Sequence, residues 1–246
     1  MGISAVLIVK NEEKNIAACL GALKFADEIV VVDSGSSDRT AELARMLATK
    51  TVSRPFDNFA AQKNFAVSLA TQDWILSIDA DERVSDKLRE EIRQTVLRTG
   101  GADAYKITRR TNFFGRDFVA SGLQDDAPIR LFRRGKTVFQ NPVHEIVVVD
   151  GKTGRLHEKL DHRSFQTIHE HLDKLQLYTG VEARNSEKVK VWFWSCFFLR
   201  PIHRFLSIYV LRQGYRDGIE GYLYASLSAY YEWVRWMKRW ERDSGR

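Results

Sequence analysis

Short apolar runs alternate with polar segments along the first third of the chain. Residues 3–9 are apolar apart from Ser4, and a polar segment follows them. An apolar run of this length with a polar boundary is typical of a buried parallel strand. The pattern then predicts a helix from about Asn15 to Leu23 and a second strand over residues 28–32.

The second predicted strand leads into a polar turn and another helix. Asp33 follows the strand, and residues 39–47 have helical periodicity with Asp38 as a suitable N-cap. A short helix is predicted over residues 65–70, before a third apolar strand at residues 74–78. This alternation of strands and helices predicts an α/β domain with a doubly wound sheet.

Two carboxylates, Asp79 and Asp81, follow the third predicted strand. Alternate residues of a strand point to the same side, so the pair is expected to converge on one ligand. A hard divalent cation such as Mg²⁺ or Mn²⁺, held with the help of substrate phosphates, relieves the repulsion between neighbouring carboxylates. An isolated Asp-x-Asp is otherwise typical of a solvated turn, here one that precedes the helix cap Ser85.

Polar residues follow all three predicted strands. In an open α/β sheet, ligands bind in the crevice beyond the carboxyl ends of the strands. Asn11, Asp33, Asp79 and Asp81 all fall at that edge. Their coincidence at three strands favours one binding site over a set of separate cap and turn residues.

Three segments carry a resemblance to known motifs. Residues 9–13 (Val-Lys-Asn-Glu-Glu), 32–40 (Val-Asp-Ser-Gly-Ser-Ser-Asp-Arg-Thr) and 79–81 (Asp-Ala-Asp) resemble the nucleotide-site motifs of family 2 inverting glycosyltransferases. The resemblance extends from residue 3 to about residue 165. It implies a GT-A (nucleotide-diphospho-sugar transferase) fold, which is a Rossmann-like mixed sheet flanked by helices.

The chain also resembles one branch of that family over nearly its whole length. This branch comprises the lipopolysaccharide-core glycosyltransferases that add a β-1,4-linked glucose to a core heptose. The resemblance rests on residues 129–134, residues 142–145, His162 with Lys174 and Tyr178, Arg200-Pro201 and residues 214–218. It implies UDP-glucose as the donor and a lipid-linked saccharide as the acceptor.

The resemblance implies a nucleotide-binding role for several residues. Asp33 would accept the ring N–H of the uracil base through a carboxylate oxygen. Asn11 and Glu12 begin the loop that would cover the nucleoside. Lys63 belongs to the segment 62–64, which is predicted to precede the helix at residues 65–70 and which relatives use near the nucleotide.

A metal site is implied as well. Asp81 would ligate Mg²⁺ or Mn²⁺, and Asp79 would contact either the ribose or the metal. GT-A enzymes often use a late histidine as an additional ligand, and His162 lies where that residue is expected. A lone histidine is also commonly structural, so both roles stay open for His162.

Inverting glycosyl transfer is a single in-line displacement at the anomeric carbon. It needs a carboxylate that deprotonates the acceptor and an electrophile that stabilises the departing diphosphate. Glu145 is the predicted base, although many relatives carry Glu-Asp where this chain has His-Glu, and Asp125 and Asp126 are the alternatives. Arg130 and Arg133 are predicted to neutralise phosphate or an acidic acceptor, unless they form a solvated strand face.

Composition agrees with a cytoplasmic catalytic domain. A chain of 246 residues with 44% apolar residues is able to bury one substantial core. Its two cysteines, Cys19 and Cys196, provide no disulfide framework, which suits a reducing compartment. The apolar start is too short for a signal peptide.

Basic charge is concentrated in residues 184–216, which hold seven basic residues and one acidic residue. Aromatic residues, including Trp192 and Trp194, alternate with basic residues such as Arg200 and Arg204. This mixture suits an anionic membrane surface, whereas central charges make a transmembrane span costly. The alternative is an amphipathic helix packed on the catalytic domain with a solvated basic face. No nucleic-acid-binding motif accompanies the stretch, so nucleic acid is not a predicted partner.

The sequence predicts two domains. A GT-A catalytic domain would cover residues 1–165, with a nucleotide-sugar half of about 1–100 and an acceptor half of about 101–165. A helical, basic and aromatic extension, residues 166–246, would bind the inner face of the cytoplasmic membrane. The alternatives are a nucleotidyltransferase, which commonly has a glycine-rich phosphate loop that residues 10–15 lack, and a noncatalytic membrane-binding module. The oligomeric state is not predicted.

Overall fold

The computed structural model describes residues 1–141, 146–164, 167–185 and 195–244. The chain divides into two compact units. The first unit contains residues 1–109 and 127–163, and the second contains residues 110–126 and 164–246. The functional roles assigned to the two predicted domains stay predictions.

The strands are short except for the first two. In chain order they are β1 (Ile3–Val9), β2 (Glu28–Asp33), β3 (Lys50–Ser53), β4 (Trp74–Ser77), β5 (Glu82–Arg83), β6 (Ala104–Lys106), β7 (Arg109–Phe113), β8 (Arg116–Asp117), β9 (Ile129–Arg133), β10 (Thr137–Gln140), β11 (Ile146–Val149), β12 (Thr153–Arg155) and β13 (Leu160–Arg163). The α-helices are α1 (Glu13–Ala22), α2 (Thr40–Leu47), α3 (Phe59–Ser68), α4 (Asp86–Leu97), α5 (Ile168–Asn185), α6 (Arg200–Leu206) and α7 (Gly218–Asp243).

The first unit is built on a seven-stranded mixed sheet with the order β12-β6-β9-β4-β1-β2-β3. Strand β1 pairs in parallel with β2 and with β4, while β9 is antiparallel to β4 and β6. The predicted mixed α/β sheet is therefore confirmed. Because β1, β2 and β4 are parallel, the loops that follow them emerge at one edge of the sheet.

Both faces of this sheet are covered by apolar side chains. Leu7 of β1 belongs to a buried cluster with Ile92 of α4, whereas its neighbour Val6 belongs to a second cluster with Ala66 of α3. Alternate residues of a strand point to opposite faces, so one apolar run supplies both cores. Fully burying an aliphatic side chain of this size stabilises the fold by roughly 1.5–3 kcal/mol.

Two helix starts differ from the predictions. Helix α2 begins at Thr40 with Arg39 in the N-cap position, and the Asp38 carboxylate accepts the Thr40 N–H at 3.0 Å. Asp38 thus accepts a hydrogen bond from the first turn of the helix, but it lies one residue before the N-cap position and not at it. The helix predicted over residues 65–70 exists but has the wrong bounds, because α3 covers Phe59–Ser68 and contains residues 62–64.

The second unit is mainly helical, as predicted for the C-terminal extension. Helix α7 packs against α5 and α6, and π-helical turns cover residues 195–199 and 207–211. A Cβ atom on Gly221 would lie 2.0 Å from the Gly214 carbonyl oxygen, so glycine is required for this close approach. Within the described ranges, no helix has both the length and the apolarity needed to cross a membrane.

Asp217 joins two segments of the second unit. Its side chain is fully buried where α7 begins. The carboxylate accepts hydrogen bonds from the Val119 N–H at 2.8 Å, the Ala120 N–H at 3.2 Å and the Ser121 hydroxyl at 2.7 Å. These bonds fix residues 119–121 against the start of α7.

Candidate functional site

The loops after β1 and β2 are bonded to each other at the sheet edge. Asn11 has a left-handed backbone (φ 54°), which asparagine tolerates better than most residues. Its N–H donates to the Ser36 hydroxyl at 2.9 Å, and its side-chain oxygen accepts the Ser37 N–H at 2.8 Å. The buried Asp33 carboxylate accepts from the Ser36 hydroxyl at 2.5 Å and the Gly35 N–H at 3.2 Å. Asn11 and Asp33 thus belong to one hydrogen-bonded network.

Further bonds extend this network to the starts of α1 and α2. The Glu12 N–H donates to the Thr40 hydroxyl at 2.7 Å, and the Glu13 N–H donates to the Asp38 carboxylate at 3.1 Å. The Glu13 carboxylate accepts the Arg39 N–H at 3.0 Å. Burial alone would raise the pKa of Asp38, but hydrogen bonds from Thr40 and Glu13 lower it. Asp38 is therefore held ionised as part of the loop structure.

The Asp79 carboxylate lies among three cations. It bonds the Arg130 guanidinium, and its oxygens lie 3.3 Å from Lys63 Nζ and 3.6 Å from the Arg109 guanidinium. Burial would raise the pKa of Asp79, but the positive charges of Arg130, Lys63 and Arg109 hold it well below its ordinary value. The side chain is still 34% exposed. Asp79 is accordingly an ionised group that solvent or a ligand is able to reach.

Glu82 is the buried counterpart of Asp79, with a side chain that is 0% exposed. Its Oε1 lies 2.6 Å from the Arg130 guanidinium and 2.9 Å from Arg109 Nε. Its Oε2 accepts the Asp79 backbone N–H at 2.9 Å. Burial would lower the pKa of Arg130, but Asp79 and Glu82 raise it. The guanidiniums of Arg130 and Arg109 thus both lie between the same two carboxylates.

Asp81 lies beside His162 because of local strand pairing. Strand β13 runs antiparallel to β5, which puts His162 opposite Glu82, and the Arg163 N–H donates to the Asp81 carbonyl at 2.9 Å. His162 Nε2 is 3.6 Å from the nearer Asp81 carboxylate oxygen. The structure therefore brings together two side chains that are 81 positions apart in the sequence.

The Asp81 and His162 pair fits a divalent cation. Ligands about 2.1 Å from an octahedral ion are about 3.0 Å apart when adjacent and about 4.2 Å apart when opposite. The observed 3.6 Å between the two ligand atoms lies within these limits. Within the described part of the chain, no group of three or more His, Cys, Asp or Glu residues is arranged to hold a metal. A bound ion would thus need oxygen ligands from water or a substrate, as Mg²⁺ commonly does.

Strand alternation does not set the directions of Asp79 and Asp81, because β4 ends at Ser77. Asp79 contacts the cation cluster, whereas Asp81 lies near His162. The physical reason for the predicted convergence is therefore wrong. Shared ligation of one metal by both aspartates stays a prediction.

Comparison with known proteins identifies the family. The family model for glycosyl transferase family 2 matches residues 4–148, which is more than half of the chain. The chain belongs to glycosyl transferase family 2. It is therefore a glycosyltransferase, as the sequence motifs predict.

Two relatives of this family 2 enzyme match it along most of their length. The lipopolysaccharide core biosynthesis glycosyltransferase LpsC of Rhizobium meliloti is 29% identical over 98% of this chain and 93% of its own. An uncharacterised glycosyltransferase of Rickettsia typhi is 30% identical over 96% of this chain and 86% of its own. The crystal structure of residues 1–349 of Staphylococcus aureus TarS has a TM-score of 0.50 and 14% identity over 100% of this chain and 92% of that chain. The similarity to TarS shows the fold alone, which is of the GT-A type.

Several predicted site residues of this family 2 enzyme have protein partners. Lys63 and Arg130 are buried against Asp79, and Arg133 lies over the Trp74 ring with its guanidinium 4.7 Å from the ring centre. Arg133 is also 3.8 Å from the Asp103 carboxylate. Their predicted contacts with nucleotide, phosphate or acceptor stay predictions.

Two of the three predicted catalytic bases, Asp125 and Asp126, lie among the described residues. Glu145 lies outside the described residues, as do Trp192 and Trp194 of the predicted membrane surface. Asp125 is exposed and accepts the Gln124 side-chain amide at 3.1 Å, and Asp126 is half-buried. Both aspartates belong to the second unit.

Sequence reasoning missed two residues of the cation cluster, Glu82 and Arg109. Each is a charged residue among other charged residues, and such positions are usually solvated. Their burial depends on the pairing of β5 with β13 and on the start of β7, neither of which was predicted. The only sequence signal for Glu82 was its place directly after Asp79-Ala80-Asp81.

Proposed function

We propose that this family 2 enzyme transfers a hexose, glucose from UDP-glucose, to a lipid-linked saccharide of the lipopolysaccharide inner core. The observation that carries the proposal is the grouping of the Asp33 loop, Asp79 and the Asp81–His162 pair in one unit with a GT-A sheet. Similarity to LpsC along nearly the full chain supports the class of acceptor. A TarS structure that aligns with a TM-score of 0.50 contains UDP, which supports the nucleotide.

The donor would bind at the edge where β1, β2 and β4 end. Asp33 would accept the uracil N–H, with Asn11 and Glu12 beside the nucleoside and Lys63 close to the diphosphate. Asp81 and His162 would hold Mg²⁺ or Mn²⁺, with Asp79 next to them. A bound divalent cation supplies charge neutralisation for the departing diphosphate.

The acceptor hydroxyl would lose its proton to a carboxylate as it attacks the anomeric carbon. The bond from that carbon to the diphosphate breaks in the same step, so the anomeric configuration inverts. Glu145 is the proposed base, and Asp125 and Asp126 are the alternatives. A base within hydrogen-bond reach of the attacking hydroxyl is required because the hydroxyl is a weak nucleophile while protonated.

A titration of UDP by calorimetry, with and without Mn²⁺, tests the donor site. We expect Mn²⁺ to raise the affinity of the wild type and to have no such effect on Asp81→Asn. Asp86→Asn is the matched control, since Asp86 is an exposed aspartate five positions further along the chain. Absence of UDP binding in every combination would overturn the proposed donor. Equal Mn²⁺ dependence in the wild type and Asp81→Asn would overturn the metal assignment alone.

The base is tested by transfer assays with a purified core acceptor and UDP-glucose. Glu145→Gln should reduce kcat by at least about a hundredfold, since general-base catalysis contributes about that much or more. Asp125→Asn and Asp126→Asn should retain activity. Retained activity in Glu145→Gln, with loss of activity in Asp125→Asn or Asp126→Asn, would assign the base to that aspartate. NMR of the product would establish the anomeric configuration.

We further propose that the second unit binds the anionic inner face of the cytoplasmic membrane. Six large apolar residues near α6 are exposed: Phe198, Leu199, Ile202, Leu206, Val210 and Leu211. Arg200 and Arg204, also exposed, lie on the same segment. Apolar side chains that enter the headgroup region beside arginines that reach lipid phosphates are typical of interfacial helices.

Sedimentation with lipid vesicles tests this surface. The wild type should bind vesicles that contain anionic lipid and bind neutral vesicles less, because each nearby arginine adds about 1 kcal/mol at an anionic surface. The double variant Leu199→Ser/Ile202→Ser should lose most of this binding. Leu97→Ser removes an equally exposed leucine, 67% against 64% for Leu199, from the first unit and should bind like the wild type. Equal binding by all three proteins would overturn the proposal.

A further inference from the structure

Glu82 makes two hydrogen bonds with the backbone of Asp79, in the loop that carries Asp79 and Asp81. Its Oε2 accepts the Asp79 N–H at 2.9 Å, and its own N–H donates to the Asp79 carbonyl at 3.0 Å. Both bonds close the same four-residue turn from residue 79 to residue 82. The side chain of Glu82 therefore fixes the backbone from which both aspartates project.

The other carboxylate oxygen of Glu82 acts on the Asp79 side chain through the arginines. Oε1 lies 2.6 Å from Arg130 and 2.9 Å from Arg109, and both guanidiniums also approach Asp79. Glu82 thus balances part of the positive charge around Asp79. With a neutral side chain in its place, both arginines would be attracted to Asp79 more strongly.

The backbone of Glu82 has a third role. It pairs with His162 in the β5–β13 ladder, and this pairing places the histidine beside Asp81. A single buried residue is therefore linked to the turn, the cation cluster and the Asp81–His162 pair. None of these links requires Glu82 to touch a ligand, since its side chain is fully buried.

We propose that Glu82 is a positioning residue that sets the placement of Asp79 and Asp81 for the nucleotide-sugar and divalent cation. This inference rests on the proposed function. Groups that orient metal ligands from outside the coordination sphere commonly change metal affinity by about 10–100-fold when they are mutated. Glu82 has the burial and the contacts of such a group.

The test compares Glu82→Gln with Glu28→Gln. Glu28 is a second buried glutamate of the same unit, at the first residue of β2, where its carboxylate accepts from the Ser4 hydroxyl at 2.5 Å and the Thr71 N–H at 2.8 Å. UDP affinity is measured by calorimetry with and without Mn²⁺, and the thermal midpoint is measured for each protein. We expect Glu82→Gln to reduce the Mn²⁺-dependent gain in UDP affinity by about tenfold or more. Glu28→Gln should lower the thermal midpoint and leave that gain unchanged.

A second variant separates positioning from general destabilisation. In Glu82→Gln/Arg109→Gln, one cation is removed together with the buried negative charge, so the excess attraction on Asp79 is reduced. We expect this double variant to recover part of the Mn²⁺-dependent gain that Glu82→Gln loses. Recovery without an increase in thermal midpoint is an outcome that a purely structural role does not produce.

Glu82→Asp keeps the charge and shortens the side chain by one methylene. It provides the same measurement if Glu82→Gln does not fold, and we expect a smaller loss of the Mn²⁺-dependent gain. The positioning role would be overturned if the wild type binds UDP with Mn²⁺ dependence and the Glu82 variants show the same Mn²⁺-dependent gain in affinity. A wild type that does not bind UDP would instead overturn the proposed function, and this inference with it.

Discussion

Two buried carboxylates, one in each unit, are held in different ways. Glu82 in the first unit and Asp217 in the second are both inaccessible to solvent. Glu82 lies against the guanidiniums of Arg130 and Arg109, whereas Asp217 accepts hydrogen bonds from two backbone N–H groups and the Ser121 hydroxyl. The same chemical group is thus stabilised by charged partners in one place and by neutral donors in the other.

This difference follows from what each carboxylate holds. Burying an ion pair costs desolvation free energy that the attraction between the charges only partly offsets. Neutral donors fix a chain segment without burying further charge. The charged arrangement stands next to Asp79 at the candidate site, and the neutral one connects residues 119–121 to the start of α7. Of these two carboxylates, the one with charged partners is the one that lies at the candidate site.

The largest expected effect comes from breaking the charged arrangement. Arg130→Met leaves Glu82 buried without one guanidinium, and removing one partner of a buried ion pair typically costs about 3–5 kcal/mol in free energy of unfolding. Urea unfolding measures the change. Arg133→Met is the control, because Arg133 is partly exposed and 3.8 Å from its acidic partner, and it should cost under about 1 kcal/mol. Equal losses for both arginines would contradict the comparison.

The second prediction concerns His171, a buried histidine of the second unit. Its burial favours the neutral form of the side chain. Burial lowers the pKa of His171 from 6.5 to about 4. The unfolded chain then binds the proton more readily, so the stability that neutral His171 supports is complete above pH 6.5 and is lost as the pH falls toward 4. The loss amounts to roughly 3 kcal/mol at most.

In the wild type, the centre of the His171 ring lies 5.8 Å from that of the Phe113 ring. His171→Phe removes the titrating group and keeps an aromatic ring at this position. Its free energy of unfolding should therefore vary less between pH 7 and pH 4 than that of the wild type, as urea unfolding at each pH would show. His169→Phe changes an exposed histidine of the same helix and should keep the wild-type dependence. A wild-type slope in His171→Phe would show that the titrating group lies elsewhere.

The smallest effect is expected at the neutral arrangement. Asp217→Asn keeps the shape of the side chain but replaces one acceptor oxygen with a donor, so a buried N–H or hydroxyl loses its partner. The free energy of unfolding should fall by about 1–3 kcal/mol, below the loss for Arg130→Met. Asp173→Asn, at an exposed position on α5, should change it little. A larger loss at Asp217 than at Arg130 would reverse the order that the comparison predicts.

The central strands of the first unit were predictable from the sequence. Strands β1 and β2 are apolar runs buried on both faces, and this pattern predicted them to within one residue. The start of helix α3 was not predictable in this way, because the fully buried Gln62 interrupts its apolar face. The side-chain nitrogen of the buried Gln62 is satisfied, because it donates to the Ser34 hydroxyl at 3.0 Å and to the Arg54 carbonyl at 3.0 Å.

The site was predictable only as far as its motifs reached. Asn11, Asp33, Asp79 and Asp81 each lie within three residues of the end of a predicted strand, so the sheet edge identified them. Glu82 and Arg109 depend on contacts between distant segments, and sequence periodicity carries no information on such contacts. The predicted phosphate role of Arg130 rested on residue type, which did not reveal its two carboxylate partners.

The hydrogen bonds between the loops after β1 and β2 have a consequence for the speed of recognition. Asn11 and Asp33 both bond Ser36, so these loops are ordered before any nucleotide arrives. A nucleotide that binds there as proposed would lose little free energy to ordering the chain. Association would then need no slow ordering of these two loops, and differences in affinity among nucleotides would arise mainly from their rates of departure.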